Sequence, residues 1–410
     1  MSKWEEQKFG DLYLIPSRNG LTRPSSVRGA GYKFINMGEI FAYNRIGNIE
    51  TELVQLNEKE KEEMTLQKND LLFARQSLVF TGAGKCSIML DLEDVVSFES
   101  HIIRVRLNPE IANPVFFYYY FSLPYNSVKT IVQQCAQAGI RGSDLEKIKV
   151  PCPHIEIQNQ IADVLSAYDD LIDANNRRIE LLEQTAQELY KEWFVRFRFP
   201  GYENAKFEDG LPKGWELKKI GDIAHVKSGY AFKSEWWVDE GVPVIKIKDI
   251  QGNTVDLSDL SHVSVDHAEI AKQFYIDEGD LLIAMTGATI GKMAIVPHSE
   301  NQMVVNQRVG KFFLGKSPAE KVAFLYITLQ QNWVQKLIAM IAGSNAAQPN
   351  ISPFDLEKIK VVYCEDLVYE YNRRITPFIK QILQLRKQNL NLAAQRDMLL
   401  PRLMSGKLEV

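Results

Sequence analysis

The sequence predicts an α+β fold in which two β-rich domains, related by tandem duplication, are separated by two long helices that form an antiparallel coiled coil. Two observations predict this fold. A unit of about two hundred residues is repeated along the chain, and each copy ends in a long segment with apolar residues at alternating spacings of four and three. The chain has 410 residues, 45% of them hydrophobic, which is enough for two cores.

The duplication is visible as matching segments at a nearly constant offset. The heptapeptide Asp-Leu-Glu-Lys-Ile-Lys-Val stands at 144–150 and again at 355–361. The offset between Trp4 and Trp215 equals the offset between the two heptapeptides. Gly84-Lys85 matches Gly291-Lys292 after a small difference in length. A repeat of this length predicts two structurally equivalent halves.

Each copy begins with about 150 residues in which short β-branched and aromatic runs alternate with glycine turns, a pattern typical of a compact β-rich fold. Runs of this kind lie at 242–247, 281–285 and 293–296. One helix is expected to interrupt each domain. Asn113-Pro114 in the first copy and Ser317-Pro318 in the second both place a capping side chain before a proline at the first helical position.

The segments that end the two copies carry coiled-coil seams. In the first copy the seam positions are Ile161, Leu165, Tyr168, Ile172, Asn175, Ile179, Leu182, Ala186, Leu189 and Trp193. In the second copy they are Phe378, Ile382, Leu385, Asn389, Leu392, Arg396 and Leu399. Each helix is expected to have about 35 residues and to be roughly 50 Å long.

Two stripes of this length are expected to bury each other, and the antiparallel arrangement closes most easily because a folded domain lies between the two helices in the chain. Asn175 and Asn389 fall on the two seams. A buried amide there would favour one register at some cost in stability. An exposed polar residue near a frayed region is an equally good interpretation of each.

Residues that break regular structure cluster between the copies, at Phe199-Pro-Gly and at Asp209-Gly-Leu-Pro-Lys-Gly214. The predicted division is a first domain at 1–153, a first long helix at 154–198, a linker at 199–214, a second domain at 215–364, and a second long helix with a C-terminal tail at 365–410.

Composition limits the classes of protein. The chain has no apolar run that resembles a signal peptide or a membrane span, so a cytoplasmic protein is expected. Its four cysteines form no CxxC pair and are interpreted as reduced, mostly buried thiols. The net charge of −4 means that any nucleic-acid contact depends on local patches, such as the basic stretch 17–48, although such a stretch is more often simply a solvated face.

Motifs for catalysis are missing. Asn113-Pro-Val-Phe116 lacks the second proline of an adenine methyltransferase turn, and Gly287-Ala-Thr-Ile-Gly-Lys-Met293 is one residue short of a nucleotide-binding loop and ends in Met. His262 and His267 have no zinc-ligand spacing with Cys or Glu. The sequence therefore predicts a protein that is not an enzyme and has no cofactor and no metal.

Several segments together resemble the specificity subunit of type I restriction-modification enzymes. They are Ile-Gln-Asn-Gln-Ile-Ala-Asp-Val-Leu-Ser-Ala-Tyr-Asp-Asp-Leu-Ile-Asp at 157–173, Trp-Phe-Val-Arg-Phe-Arg-Phe-Pro-Gly at 193–201, Leu-Pro-Lys-Gly-Trp-Glu at 211–216, the turn Lys-Ser-Gly-Tyr-Ala-Phe at 227–232, residues 345–352, and Leu-Leu-Pro-Arg-Leu-Met-Ser-Gly at 399–406. Their order and the two-copy arrangement cover essentially the whole chain. One departure is that the first copy has Pro16-Ser-Arg-Asn-Gly20 in place of the Ser-Gly-Tyr-Ala-Phe turn.

The resemblance implies two target-recognition domains that each read one half of a bipartite site in double-stranded DNA, with a fixed unread gap set by the paired helices. It also implies docking of two methyltransferase (modification) subunits, with motor-nuclease (restriction) subunits in the full complex. Catalysis, S-adenosylmethionine and ATP then belong to the partners, and no membrane is involved. The alternatives are a coiled-coil assembly scaffold with protein-binding heads and, against the missing motifs, a self-sufficient DNA methyltransferase.

Polar residues in loops between strands are the candidates for DNA contact. In the first copy they are Arg18, Asn19, Arg23, Arg45, Arg75, Gln76, Lys85, Gln137 and Arg141. In the second copy they are Lys227, Tyr230, Lys246, Lys248, Thr286, Thr289, Lys292, Gln307, Arg308, Asn345 and Gln348. For each of them an ordinary exposed polar residue is the alternative, and Tyr230 and Phe232 are alternatively core aromatics.

Overall fold

The computed structural model describes residues 4–134, 138–343 and 349–409. The chain divides into two compact units. The first unit comprises Met1–Ile172 and Leu392–Val410, and the second comprises Asp173–Asn391. Each unit therefore contains one β-rich domain together with a part of both long helices.

The first unit is built on a central five-stranded sheet that pairs a long edge strand with the buried strands of the core. In spatial order its strands are Tyr13–Asn19, Ile102–Leu107, Leu71–Ala74, Cys86–Met89 and Arg45–Ile46. The smaller sheets pair Glu52–Val54, Arg28–Ile35 and Val96–Phe98; Gln133–Gln134, Ala138–Gly139 and Gln76–Ser77; and Glu6–Lys8 with Lys149–Pro151. The short helices are Met37–Ala42, Glu58–Met64, Pro114–Ser122 and Gly142–Leu145.

The second unit repeats this plan with a six-stranded sheet. In spatial order its strands are His225–Ser228, Val309–Phe313, Leu281–Ala284, Met293–Ile295, Thr254–Val255 and Ile250–Gln251. The other sheets are Trp237–Val238, Ser261–Val263, Val242–Ile245, Met303–Val305 and Tyr275–Ile276; Glu216–Lys219 with Lys360–Tyr363; and Phe207–Glu208 with Leu211–Pro212. The short helices are Ile220–Ile223, Val265–Ile270, Val322–Gln330, Asn332–Ile341 and Pro353–Glu357.

A buried carboxylate at the same place in both central sheets, paired in each with a cation from the neighbouring strand, supports the duplication. In the first unit both oxygens of Asp70 accept from Arg106 at 2.7 Å. In the second unit the matching Asp280 lies 2.5 Å from the ammonium of Lys311. Both carboxylates are buried, so each depends on its partner to offset the cost of removing a charge from water.

The predicted helix start at Asn113 is confirmed, whereas the one at Ser317 is wrong. The Asn113 side chain accepts hydrogen bonds from the backbone N–H groups of Val115 and Phe116 at 2.8 and 3.2 Å. Ser317 instead has left-handed backbone angles and makes no capping bond, because the chain first forms the 3-10 turn Pro318–Glu320. The α-helix begins only at Val322, and a second helix follows it where a single one was expected.

The long helices are Ile155–Tyr190, with 36 residues, and Glu365–Met404, with 40. At 1.5 Å per residue they are about 54 and 60 Å long. A π-helical turn, Lys191–Val195, continues the first of them. Among the described residues no helix combines the length and the apolar character that crossing a membrane requires.

Within each unit the two long helices run antiparallel, as predicted. In the second unit Asn175 bonds to Asn389, Glu183 to Arg386 and the Ala186 carbonyl to the Tyr371 hydroxyl, so rising numbers on one helix meet falling numbers on the other.

In the first unit Asp169 pairs with Arg396. Nearer the start of the first helix and the end of the second, Ile161 and Leu165 share a hydrophobic cluster with Leu400 and Leu403.

The seam predicted from the sequence is only partly buried. Ile161, Leu165, Ile179, Ile382 and Leu385 are buried. Other predicted seam residues are half-buried: Tyr168, Ile172, Leu182, Leu189, Phe378, Leu392 and Leu399. The second helix also buries a further face in the core of the second unit, through Ile375, Ile379 and Leu383. Each helix is therefore both a coiled-coil partner and a wall of a domain core.

The two seam asparagines form a hydrogen-bonded pair in which Asn175 is buried and Asn389 is half-buried, which supports the interpretation of a seam amide. The side-chain nitrogen of Asn175 donates to the side-chain oxygen of Asn389 at 2.8 Å, and Asn175 is only 7% exposed. Asn389 in turn donates to the Asn176 oxygen at 2.9 Å. An amide pair between apolar layers favours this register, because a shifted helix would leave both amides without partners.

The three cysteines that the structure describes have free thiols, but fewer of them are buried than predicted. Cys86 is buried, and burial raises the pKa of its thiol. Cys152 and Cys364 are only half-buried, because they lie at the ends of strands next to the two long helices and not in the sheets. Cys135 lies outside the described residues.

Replacing Asn389 by leucine is expected to destabilise the protein by about 1–3 kcal/mol, because the Asn175 amide loses its acceptor while it remains buried. The double variant Asn175→Leu/Asn389→Leu should recover most of that loss, since no buried polar group then lacks a partner. Urea unfolding measures both, with Asn391→Leu on the exposed face as the control. Equal loss in the double and single variants would contradict this account.

Candidate nucleic-acid interface

In the first unit, loops from five parts of the chain converge at one end of the central sheet through backbone hydrogen bonds. Leu21 N–H donates to the Phe98 carbonyl at 2.8 Å, and Arg75 N–H donates to the His101 carbonyl at 2.8 Å. Ile140 N–H donates to the Arg75 carbonyl at 2.9 Å. We call residues 19–21, 75–76, 84–85, 100–101 and 139–141 the first loop edge.

The second unit has the same arrangement. Tyr230 N–H donates to the Val305 carbonyl at 2.9 Å, and Met285 N–H donates to the Arg308 carbonyl at 3.0 Å. Ile351 N–H donates to the Met285 carbonyl at 3.0 Å. We call residues 229–230, 285–286, 291–292, 307–308 and 350–351 the second loop edge.

One glycine in each edge is required by a close approach of two backbones. A Cβ on Gly20 would lie 2.1 Å from the Phe98 carbonyl oxygen, and a Cβ on Gly229 would lie 2.2 Å from the Val305 oxygen. Gly20 is therefore the counterpart of Gly229, and Leu21 occupies the position of Tyr230. The first copy has the same turn as the second, although its sequence there is different.

The structure brings many of the predicted DNA-contacting residues together in the two edges. The first edge holds Asn19, Arg75, Gln76, Lys85 and Arg141. The second edge holds Tyr230, Thr286, Lys292, Gln307 and Arg308, with Thr289 in the adjoining turn and Lys246 beside Asn306. Gln137, Asn345 and Gln348 lie outside the described residues.

Other predicted residues form ion pairs or ring contacts with other residues of this chain. Arg18 pairs with Glu63 at 2.7 Å, Arg23 with Glu60 at 2.6 Å, and Lys248 with Asp249 at 3.0 Å. Arg45 pairs with Asp170 of the first long helix. The Lys227 ammonium lies over the ring of Phe313, 5.4 Å from its centroid. These cations have partners of their own, so their role in DNA contact stays a prediction.

Three lysines in or beside the edges are partly desolvated and held in place. Lys85 donates to the Phe41 carbonyl at 2.9 Å, and Lys129 donates to the Thr81 carbonyl at 2.9 Å. Lys246 donates to the Ser261 hydroxyl at 2.8 Å and lies 3.6 Å from the ring centroid of Trp237. Burial lowers the pKa of all three ammonium groups. Cations placed in this way have little orientational freedom to lose when they meet an anion.

Two hydroxyl groups, one in the second edge and one in the adjoining turn, are buried without a hydrogen-bond partner among the described residues. They are the Oγ1 atoms of Thr286 and Thr289. A buried hydroxyl without a partner costs about 1–3 kcal/mol, and native structures contain few of them. Both were candidates from the sequence.

Aromatic residues flank the second edge. Trp236 stacks on His267 with centroids 4.2 Å apart and lies parallel to Tyr230 at 6.1 Å. Phe232 is buried in the core of the unit, which fits the core-aromatic interpretation, whereas Tyr230 is half-buried. Trp236 and His267 were not among the candidates, because their approach to Tyr230 depends on the tertiary fold.

Sequence reasoning also missed His101. It is exposed and occupies, in the first edge, the place of Arg308 in the second. An alignment of the two copies strand by strand, matching Phe98-Glu-Ser-His101 to Val305-Asn-Gln-Arg308, would have found it. Throughout the described ranges, no group of three or more His, Cys, Asp or Glu side chains is placed to hold a metal ion.

Comparison with known proteins gives a family match in both copies. The family model described as "Type I restriction modification DNA specificity domain" matches residues 1–184 and 212–391. The chain is similar to the type I restriction enzyme MjaVIII specificity subunit of Methanocaldococcus jannaschii, with 24% identity over 99% of this chain and 93% of that protein. It is also similar to the HindI specificity subunit of Haemophilus influenzae, with 22% identity over 100% of both.

Among solved structures, the chain resembles the crystal structure of a type I restriction-modification system S subunit from M. genitalium. The TM-score is 0.57 at 18% identity, and the match covers 98% of this chain and 96% of that one. At this identity the likeness supports the fold alone: two α+β domains in tandem with long helices.

We expect Gly20→Ala to destabilise the first unit by about 1–3 kcal/mol, since the added Cβ overlaps a backbone oxygen that cannot move without breaking the strand pairing. Gly38→Ala is the matched control in the same domain, because nothing lies within 4 Å of its Cβ position. Thermal unfolding measures both variants. Equal melting temperatures for the two would show that the turn yields without cost.

Proposed function

The chain belongs to the type I restriction modification DNA specificity family, and on this basis we propose that it is the subunit that reads a bipartite site in double-stranded DNA, with a fixed unread gap between the half-sites. It does not itself catalyse a reaction; its relatives are named specificity subunits, and catalysis rests with partner subunits.

The observation that carries this proposal is that the two loop edges share one backbone frame and present different side chains. His101 stands where Arg308 stands, and Leu21 stands where Tyr230 stands. Two domains that recognise different half-sites need different side chains at the DNA, because each base pair presents its own hydrogen-bond pattern in the major groove. A shared backbone with different side chains meets this requirement.

The chemistry of the edges suits the two kinds of DNA contact. Arg308 and Gln307 in the second edge, and Gln76 and His101 in the first, are exposed or half-buried and have the donor and acceptor groups that read base edges. Lys292 and Arg141 are exposed cations suited to phosphate oxygens, which supply salt-dependent affinity. Each edge thus combines groups for sequence discrimination with groups for general affinity.

Our proposed division of labour follows the sequence. Residues 1–153 and 215–364 are the recognition domains, 154–198 and 365–410 are the spacer helices, and 199–214 is the linker. Two readers that approach one side of a duplex are separated by about one helical turn, or some 34 Å. Paired helices of this length are suited to set such a distance.

The partners we propose are two methyltransferase subunits that dock on the long helices, with motor-nuclease subunits completing the complex in the cytoplasm. S-adenosylmethionine and ATP then bind to those partners. Exposed apolar side chains on the long helices support docking: Val164, Leu171, Leu181, Tyr369, Leu390 and Met398. Apolar groups that recur on exposed helix faces are typical of surfaces that other proteins cover.

We expect His101→Ala to relax base preference in the first half-site only, and Arg308→Ala in the second only. Each loss should be about 10- to 100-fold in affinity for the cognate base pair, the usual cost of a lost base contact. Binding of the assembled complex to duplexes with single base changes, across a salt series and with competitor DNA, measures this. Lys218→Ala, in the separate strand pair of Glu216–Lys219 with Lys360–Tyr363 and outside both edges, is the control. Complexes that bind DNA without sequence preference would favour a scaffold instead.

Removing one heptad from each long helix, around the contact of Ile179 with Ile382, should shorten the unread gap by about three base pairs. Seven residues correspond to roughly 10 Å of helix, and one base pair to about 3.4 Å. Mapping the modified adenines in a host that carries the variant measures the gap. The half-sites themselves should stay the same, and a change in them would contradict a spacer role.

A further inference from the structure

The first unit carries an exposed apolar loop next to its loop edge. Leu78 is 87% exposed, Val79 60% and Phe80 43%. These residues directly follow Gln76–Ser77, a strand of the first edge. Three consecutive apolar side chains in water are unfavourable for a free protein, so their exposure calls for a binding partner.

The second unit has no such loop. Between Gln76 and Gly84 lie seven residues, whereas four residues lie between the matching Thr286 and Gly291. The shorter connection is the turn Gly287–Thr289, whose side chains are small. The apolar loop is therefore an addition to one recognition domain and not part of the common frame.

The loop is held in a defined position by contacts at both of its ends. Ser77 pairs with Ala138, and Gly82 N–H donates to the Val79 carbonyl at 3.1 Å. The ammonium of Lys129 donates to the Thr81 carbonyl at 2.9 Å. Phe41, itself exposed, lies so near that a Cβ on Gly82 would be 3.1 Å from its ring. The apolar tip is consequently preformed.

Positive charge lies next to this tip. Lys129 donates to the Thr81 carbonyl and the Lys85 N–H donates to the Gly82 carbonyl. In sequence, residues 75–90 and 125–143 contain Arg75, Lys85, Lys129 and Arg141 and no acidic residue. The chain as a whole has a net charge of −4, so this composition is local. An apolar tip within a cationic rim complements duplex DNA, which offers phosphates at the rim of a groove and apolar base surfaces within it.

We propose that residues 78–80 form an apolar finger that enters a groove of duplex DNA at the first half-site and packs against the bases there. This rests on the proposed function. Leu78 and Val79 contact base carbon atoms while Lys85 and Lys129 hold the flanking phosphates. Because the second unit lacks the finger, the two half-sites are read by different means: one by polar groups together with apolar contact, the other by polar groups.

The test compares Leu78→Ser/Val79→Ser with Leu14→Ser, an exposed leucine in the edge strand of the central sheet of the same unit. The chain is assembled with its methyltransferase partner and titrated with a duplex that carries the whole bipartite site. The double variant is expected to bind about tenfold more weakly, through loss of apolar burial, with an unchanged dependence of log Kd on log salt. Leu14→Ser should bind like the unmodified chain. Lys129→Met should instead lower the salt slope by about one.

Two further duplexes locate the contact. Replacing each thymine of the first half-site by uracil removes a methyl group, and the fluorescence of 2-aminopurine placed there reports unstacking. With the unmodified chain we expect weaker binding to the uracil duplex, a rise in 2-aminopurine fluorescence, or both. The double variant should show neither effect. Normal DNA affinity of the double variant would overturn the finger, and failed assembly with the methyltransferase in addition would identify a protein-docking surface instead. Failure of the unmodified complex to select any bipartite site would instead overturn the proposed function.

Discussion

The mutual burial of the two long helices is the interaction on which the rest of the structure depends. Neither amphipathic helix is stable in water with its apolar stripe exposed, and within each unit the stripes cover each other in the antiparallel sense. Polar contacts then choose one register. Asn175 meets Asn389, Glu183 meets Arg386, and Asp169 meets Arg396. Breaking one of these partly buried pairs leaves an unmatched group, so slipped registers are costly.

The same helices serve as walls of the domain cores, which ties each recognition domain to the helix pair. In the first unit Tyr119 donates to Asp169 at 2.6 Å, and Asn113 N–H donates to the Gln158 side chain at 2.8 Å. In the second unit Phe324 N–H donates to the Asn372 side chain at 2.8 Å, and the Thr328 hydroxyl donates to the Tyr190 hydroxyl at 3.0 Å. Burial raises the pKa of the Tyr119 and Tyr190 hydroxyls, which therefore stay protonated across the physiological range. In each unit the loop edge therefore belongs to a domain that packs directly against the long helices.

Recognition chemistry is kept apart from this support. The backbone hydrogen bonds of the two edges match, and the required glycines Gly20 and Gly229 match, while the side chains that face outward differ. The exchange of Arg308 for His101 changes an exposed side chain and leaves the backbone hydrogen bonds of the common frame in place. A specificity subunit built in this way can acquire a new half-site by surface substitution, because stability and reading depend on different residues.

By itself, the sequence determined the duplication, the long helices, their antiparallel pairing, the cap at Asn113 and the seam positions of Asn175 and Asn389, because these features depend on residues three to seven apart or on a repeat of the whole pattern. Only the tertiary structure decided the rest. It placed Gln76, Lys85 and Arg141 at one end of the sheet and His101 beside them. It also showed that Arg18 and Arg23 form ion pairs and that Ser317 does not cap a helix. The reason is physical: a loop side chain is positioned by strands distant in the sequence, and no local spacing specifies which loops those strands bring together.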